Sequence, residues 1–269
     1  MTTSLDLDAY FTRIRYFGGT SPIYETLAGL LTAHTARIPF ENLDVLLNRP
    51  VRLDLGSIQD KLVRARRGGY CFEHATLFAA VLEAVGFTPS RHAARVVLFA
   101  PRSETPRTHM FLTVPIGRTN FVVDPGFGPF TSPVPLPLED RGTEHDDTRT
   151  HRMMRDGDLW ELLVPRDGQT VTGWLSTLER ENPIDFELAN HYIATHPASL
   201  FRNNMLLSAA TSDGRVNVMN RDITFLRRNG ISKTQLEDRA MLRSLLRDHF
   251  GFDVPEAERI TVPAIPDWR

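Results

Sequence analysis

Apolar residues recur at helical spacing through the first third of the chain, then switch to a period of two. Leu7, Tyr10, Phe11 and Ile14 share one helical face in LDAYFTRIRY, and Gly18-Gly19 supplies the stop. Ser21 followed by Pro22 reads as an N-cap and first helical residue for SPIYETLAGLLTAHTARI. Further on, Ala75, Phe78, Ala79 and Leu82 repeat at i, i+3, i+4 and i+7, and Gly86 marks the end. That helix begins at or just after Cys71.

From about Arg91 the runs ARVVLFA, HMFLTVPI, NFVVDPG, LWELLVP and VTGWLST are short and rich in β-branched or aromatic residues, with turn residues between them. The Pro-rich segment SPVPLPLED and the polar stretch RGTEHDDTRTHR interrupt the series over residues 132–152 and read as one long surface excursion. LLSAATSDGRVNVM and ITFLRRNGIS predict strands with hairpin turns at Asp213-Gly214 and Asn229-Gly230. RAMLRSLLRDHF predicts an amphipathic helix ending at Gly251. A helical region, a β region and a smaller α/β end follow from the pattern.

Composition narrows the function classes. The chain has 269 residues, enough for more than one domain, and its net charge of −2 gives no reason to expect a nucleic-acid partner or an anionic membrane surface. One cysteine cannot form an internal disulfide, and the N-terminus lacks the basic-then-apolar layout of a signal peptide, so a cytoplasmic protein is expected. Nine histidines are scattered without HExxH spacing and there is no CxxC, so no metal site is expected.

The candidate chemistry centres on RGGYCFEHA, residues 67–75, which carries the lone thiol where a loop becomes a helix. A free cysteine is often only a small buried hydrophobe. As a nucleophile it gains from the unpaired N–H groups and partial positive charge of the helix N-terminus. That dipole contributes roughly 0.3–1 kcal/mol, less than the roughly 1.4 kcal/mol that moves an ionisation by one unit, so an imidazolium neighbour is needed as well. The glycines ahead of the thiol leave room for a sharp turn and for a ligand.

A base is available if HMFLTVPIGRTNFVVDPGFG is a hairpin turning at Gly117-Arg118. A two- or four-residue loop there pairs Ile116 with Thr119. Carried on, the register sets His109 opposite Gly126 and puts Asp124 on the same face, one diagonal step away. Asp124 then accepts the Nδ1 proton of His109, leaving Nε2 for the thiol. A three-residue loop would reverse the parity. His74, three residues after Cys71, is the rival base; without an obvious carboxylate it reads better as a polar group near the site rim. The GFG after Asp124 offers Gly126 and Gly128 as an anion-binding nest, although most GxG sequences are simple turns. On the residues alone, a catalytic trio and a chance grouping both stand.

IPFENLDV at 38–45, RRGGYCFEH at 66–74, THMFLTV at 108–114, VVDPGFG at 122–128 and NPIDFELANHYIATHPASLF at 182–201 resemble, in order, segments of the arylamine N-acetyltransferases. The resemblance covers most of the chain and weakens past about residue 205. It implies a Cys–His–Asp triad carried by Cys71, His109 and Asp124. It implies an α+β multi-domain fold with a cysteine-protease-like core: an N-terminal helical bundle (residues 1–88), a central β-barrel (89–204) and a C-terminal α/β lid (205–269). It also implies ping-pong transfer of acetyl from acetyl-coenzyme A to arylamines, arylhydrazines or arylhydroxylamines. By the same resemblance Phe40 and Phe127 line the acceptor pocket, and Glu41, Asn42 and Arg67 brace the site. One position departs: the family usually carries asparagine four residues after the cysteine, and this chain has Ala75.

Other readings keep the triad with a different acceptor, as an amide synthase or a thioester hydrolase, or make the chain a non-catalytic binder of coenzyme A or an aryl ligand.

Overall fold

The computed structural model describes residues 4–139 and 150–268. Its helical part comprises α1 (Leu7–Ile14), α2 (Tyr24–Arg37), the short α3 (Leu43–Leu46), α4 (Leu55–Ile58) running on into a π-helical turn at Gln59–Arg64, and α5 (Cys71–Ala84). Two expected boundaries move. α1 ends at Arg15, which adopts a left-handed conformation and returns its N–H to Phe11 and Thr12, so Gly18-Gly19 lies beyond the helix. α2 starts at Tyr24, because Ile23 is extended and its N–H turns back onto the Ser21 carbonyl at 2.8 Å. Pro22 therefore precedes the helix.

The β region is a seven-stranded antiparallel sheet curled into a nearly closed barrel. Its strands are β2 (Ser90–Val96), β3 (His109–Ile116), β4 (Thr119–Val123), β5 (Leu136–Pro137), β6 (Arg152–Asp156), β7 (Leu159–Arg166) and β8 (Gln169–Ser176). They run in the order β5-β4-β3-β2-β8-β7-β6. The strand expected at ARVVLFA lies earlier, over Ser90–Val96, since it pairs from Ser90 with Thr113 onward; the residues after Val96 form a loop. Part of the expected excursion over 132–152 lies outside the described residues; of the rest, Leu136–Pro137 and Arg152–Asp156 are strands.

β3 has two buried faces. Met110, Leu112 and Val114 pack with the helices, while Phe111 joins Ala94, Val122 and Trp174 inside the barrel. This explains a run without clean alternation. The turn has two residues: Ile116 pairs Thr119 and Leu112 pairs Val123, the register the sequence predicts. It places His109 and Asp124 on the barrel-interior face, at the rim.

α6 (Pro183–Thr195) and α7 (Leu200–Asn203) lead to β9 (Leu206–Thr211), β10 (Gly214–Met219), β11 (Asp222–Arg227) and β12 (Gly230–Gln235). The two expected hairpins form, each turning one residue earlier, at Ser212-Asp213 and Arg228-Asn229, because Gly214 and Gly230 already pair as strand residues. α8 (Arg239–Leu245) continues as a π-turn to Gly251, which caps it at φ 78°. A two-residue strand, β1 (Phe40–Glu41), adds to β9, so the PFEN segment joins the helical region to the last sheet. Leu43 and Leu46 accordingly pack with Val216, Leu242 and Phe250 rather than with the bundle. Among the described residues no helix is long and apolar enough to cross a membrane.

Candidate active site

Cys71 is the first residue of α5, 3% exposed, with its N-terminal turn built by side-chain and backbone fit. Glu73 reaches back to accept the Tyr70 N–H at 3.0 Å and also takes Lys61 Nζ at 2.8 Å. Lys61 lies against Asp44 at 2.8 Å and near Glu41 at 3.9 Å; burial opposes its charge, but these carboxylates and Glu73 outweigh it and push its ionisation up. Arg67 donates to Asp44 and Glu41, both at 2.7 Å. Asn42 donates to the carbonyls of Phe201 and Asn204 and accepts the Leu206 N–H, tying the PFEN turn to the start of the last sheet. The ion pairs and amide bonds tie these loops together, and none of them engages the thiol.

The glycines ahead of Cys71 serve close approach, Gly68 to backbone and Gly69 to the Glu73 side chain. A Cβ on Gly68 would sit 2.1 Å from the Pro39 carbonyl oxygen, and one on Gly69 would strike Glu73. Gly126 is matched from the opposite side: its Cβ would lie 2.6 Å from Cys71 Cα. The Gly126 N–H reaches Asp124 Oδ1 at 3.3 Å, and Gly128, at φ 60°, lies against the Phe40 ring. Both glycines bring the segment after β4 onto the thiol helix.

His109 Nε2 bonds to Asp124 Oδ2 at 2.7 Å, with both residues 4% exposed. The ring is therefore turned over relative to expectation. Nε2 faces the carboxylate, and Nδ1 is left for the Cys71 side, whose sulfur acts on the ring electrostatically. The reason is geometric: Asp124 lies a diagonal step along the hairpin, within reach of the far nitrogen, while the thiol comes in from α5. Burial works against the imidazolium, but the Asp124 carboxylate and Cys71 outweigh it and raise His109 to about 10. The sulfur is also 3.8 Å from the Thr108 carbonyl oxygen.

His74 is not at the rim. It is 1% exposed, with Nδ1 on His34 and Nε2 on the carbonyls of Pro39 and Gly69. Both nitrogens are engaged away from the thiol. Ala75 is fully buried in the core of the bundle.

Cys71 and His109 open onto a cavity of about 920 Å³ between the three regions. Phe40, Phe127, Phe130 and Phe201 line it near the thiol, and β9–β12 supply its far wall through residues such as Leu207 and Val218. The Phe127 ring centre is 4.9 Å from that of His109. Such size and lining suit an aromatic ligand together with a longer one.

The chain matches the N-acetyltransferase family model over residues 24–259. It is 40% identical over 261 residues to the arylamine N-acetyltransferase of Mycobacterium bovis, covering 94% of this chain and 91% of the relative. The chain belongs to the arylamine N-acetyltransferase family. The Salmonella typhimurium arylamine N-acetyltransferase / N-hydroxyarylamine O-acetyltransferase is 34% identical over 254 residues, covering 94% and 90% of the two chains. The solved structure of the Mycobacterium marinum arylamine N-acetyltransferase in complex with CoA superposes with a TM-score of 0.86 at 35% identity, covering 94% of each chain.

Sequence reasoning missed one partner of the trio. Trp174 is fully buried, stacks on Phe111 with centres 4.2 Å apart, and donates its indole N–H to Asp124 Oδ2 at 3.0 Å. It reaches Asp124 because β8 lies beside β2 and carries a bulge: Leu162 pairs Trp174 but Leu163 pairs Thr172. The extra residue is Gly173, where a Cβ would meet Phe127 at 2.9 Å. The glycine inside VTGWLST was the one available signal.

Proposed function

We propose that the chain transfers acetyl from acetyl-coenzyme A to the nitrogen or oxygen of arylamines, arylhydrazines or arylhydroxylamines, with Cys71, His109 and Asp124 as the catalytic triad. The observation that carries the reading is the buried His109–Asp124 hydrogen bond beside Cys71 at the start of α5, opening on an aromatic-lined cavity. A relative of similar fold solved with CoA supports the donor, and the Salmonella relative's two named activities support both acceptor atoms.

In this mechanism the Cys71 thiolate attacks the thioester carbonyl. The oxyanion forms near the Cys71 N–H, which as the first amide of α5 has no acceptor among the described residues. Expulsion of coenzyme A takes a proton from His109 and leaves acetyl on the sulfur. His109 is then a neutral base. It removes a proton from the arylamine nitrogen as that nitrogen attacks the thioester, and the Cys71 thiolate leaves, paired again with an imidazolium. Phe40 and Phe127 hold the aryl ring. Anilines suit such a site because they are uncharged at neutral pH and remain nucleophilic. On this reading residues 1–88 carry the nucleophile, 89–204 the imidazole and carboxylate, and 205–269 wall the donor side. A thiol that must stay reduced to act suits the cytoplasm.

Mass spectrometry after mixing with acetyl-coenzyme A tests the covalent step. One acetyl group is expected on the wild-type chain, lost on adding an aromatic amine. None is expected on Cys71→Ala, a substitution that removes little volume. Turnover by Cys71→Ala at a substantial fraction of the wild-type rate would overturn the mechanism.

A further inference from the structure

Within the helical region that carries the thiol, three buried side chains form a chain of hydrogen bonds that the proposed reaction does not use. Tyr10 Oη lies 2.8 Å from His34 Nδ1, and His34 Nε2 lies 2.8 Å from His74 Nδ1. His74 Nε2 in turn sits 3.2 Å from the Pro39 carbonyl oxygen and 3.1 Å from that of Gly69. Tyr10 and His34 are fully buried and His74 is 1% exposed.

The direction of every proton follows from the far end. Carbonyl oxygens only accept, so His74 Nε2 carries a hydrogen. Burial holds His74 down to about 4 and drives His34 well below its ordinary value, so both rings are neutral at pH 7. Neutral His74 must then accept at Nδ1, which requires His34 to donate from Nε2. His34 must accept at Nδ1, which requires the Tyr10 hydroxyl to donate. One set of tautomers satisfies the whole chain. The nearest charges acting on it are Arg13 on His34, and Lys61 and Asp124 on His74.

The two carbonyls at its end belong to the two segments that shape the site. Pro39 precedes Phe40 on the cavity wall, and Gly69 lies two residues before Cys71. These segments already touch: Gly69 N–H donates to Pro39 at 3.2 Å and Glu41 N–H donates to Gly69 at 2.8 Å. His74 closes the pair from the core side. Its Cβ also lies 3.2 Å from where a Gly126 Cβ would be, so it is the meeting point of the acceptor wall, the nucleophile turn and the segment after Asp124.

We propose that His74, oriented by His34 and Tyr10, is a positioning residue for acyl transfer, fixing Cys71 against His109 and the Phe40 wall by holding the Pro39 and Gly69 carbonyls at one spacing. The role rests on the Cys71 mechanism proposed above. A glutamine can replace this imidazole, because its amide both accepts from His34 and donates to a carbonyl. A leucine fills the space and does neither.

The test compares His74→Leu, His74→Gln and Tyr10→Phe by two readouts: steady-state acetyl transfer, and the pH profile of Cys71 alkylation by iodoacetamide. Alkylation needs no acetyl-coenzyme A, so it reads Cys71–His109 pairing even if the chain proved not to be an acetyltransferase, a failure that lack of wild-type acetylation would reveal separately. His74→Leu is expected to lower kcat about tenfold or more, on the scale of a lost buried hydrogen bond, with a displaced alkylation profile and little change in donor KM. His74→Gln is expected to restore both to within about threefold, and Tyr10→Phe to shift both in the same direction by about two- to threefold. If His74→Leu does not fold, Tyr10→Phe, which removes a single hydroxyl, decides alone. A folded His74→Leu with the wild-type alkylation profile, equal losses in His74→Leu and His74→Gln, or, where it decides alone, an unshifted Tyr10→Phe would overturn the proposal.

Discussion

His109 on the barrel side of Cys71 and His74 on the bundle side are both buried within one turn of the same helix start, yet they are driven in opposite directions. His109 is raised to about 10 and His74 lowered to about 4. Burial penalises the cation in both. The difference lies in what faces each ring. His109 meets the Asp124 carboxylate and the thiol, whereas His74 meets two carbonyl oxygens and a neutral imidazole. Loss of water therefore sets the scale of the shift, and the partner sets its sign. The result is one histidine that holds a proton and one that holds a backbone.

The largest break in this contrast is expected from Asp124→Asn. Asparagine keeps the shape, cannot support the imidazolium and favours the wrong tautomer. In serine-protease triads the analogous change costs about four orders of magnitude. A similar fall is expected in the single-turnover rate of enzyme acetylation. If Asp124→Asn were nearly normal and His74→Gln dead, the roles of the two histidines would be reversed.

A smaller effect separates the two rings by stability. The neutral His74 binds its proton more weakly when folded than the ordinary 6.5 of an unfolded histidine. Its contribution is complete above about pH 6.5 and is lost as pH falls towards about 4, by roughly 3 kcal/mol. His109 behaves oppositely: its stabilisation is complete below about pH 6.5 and is lost as pH rises through about 10. Urea unfolding over a pH series should show a shallower acid decline in His74→Gln and a shallower alkaline decline in His109→Gln. Unchanged acid slopes in His74→Gln would mean that His74 is already protonated in the folded state.

The two sides also differ in how far the sequence revealed them. Hairpin parity is local: once the turn falls at Gly117-Arg118, His109 and Asp124 must share a face, and the observed register obeys. Which nitrogen faces Asp124 is decided by the approach of α5, and no local pattern contains that. The bundle side was misread for a similar reason. A histidine three residues after the thiol looks like a rim group until α2 is packed against α5 and His34 arrives as its partner. Trp174 depended on strand order as well, since β8 reaches the site only by inserting beside β2. Elements and hairpins were legible; partners supplied by distant elements were not.

Trp174→Phe gives the smallest and sharpest effect. The substitution removes the indole N–H from Asp124 Oδ2 while the ring stack on Phe111 largely remains. Asp124 then keeps His109 and the Gly126 amide. Hydrogen bonds to charged groups are worth about 1.5–3 kcal/mol, but Asp124 is charged both at rest and in the transition state, so only part of that reaches the barrier. A carboxylate with one donor fewer attracts the imidazolium more strongly, and His109 gives up its proton less readily. The step in which His109 must give up that proton is expulsion of coenzyme A, so enzyme acetylation should slow by about three- to tenfold, more than transfer to the amine, in which His109 takes a proton. Phe111→Leu, in the same core but with no hydrogen bond to Asp124 to lose, should cost comparable stability and leave the ratio of the two steps alone. Equal ratios in both variants would reduce Trp174 to core packing and leave the contrast between the two histidines to Asp124 alone.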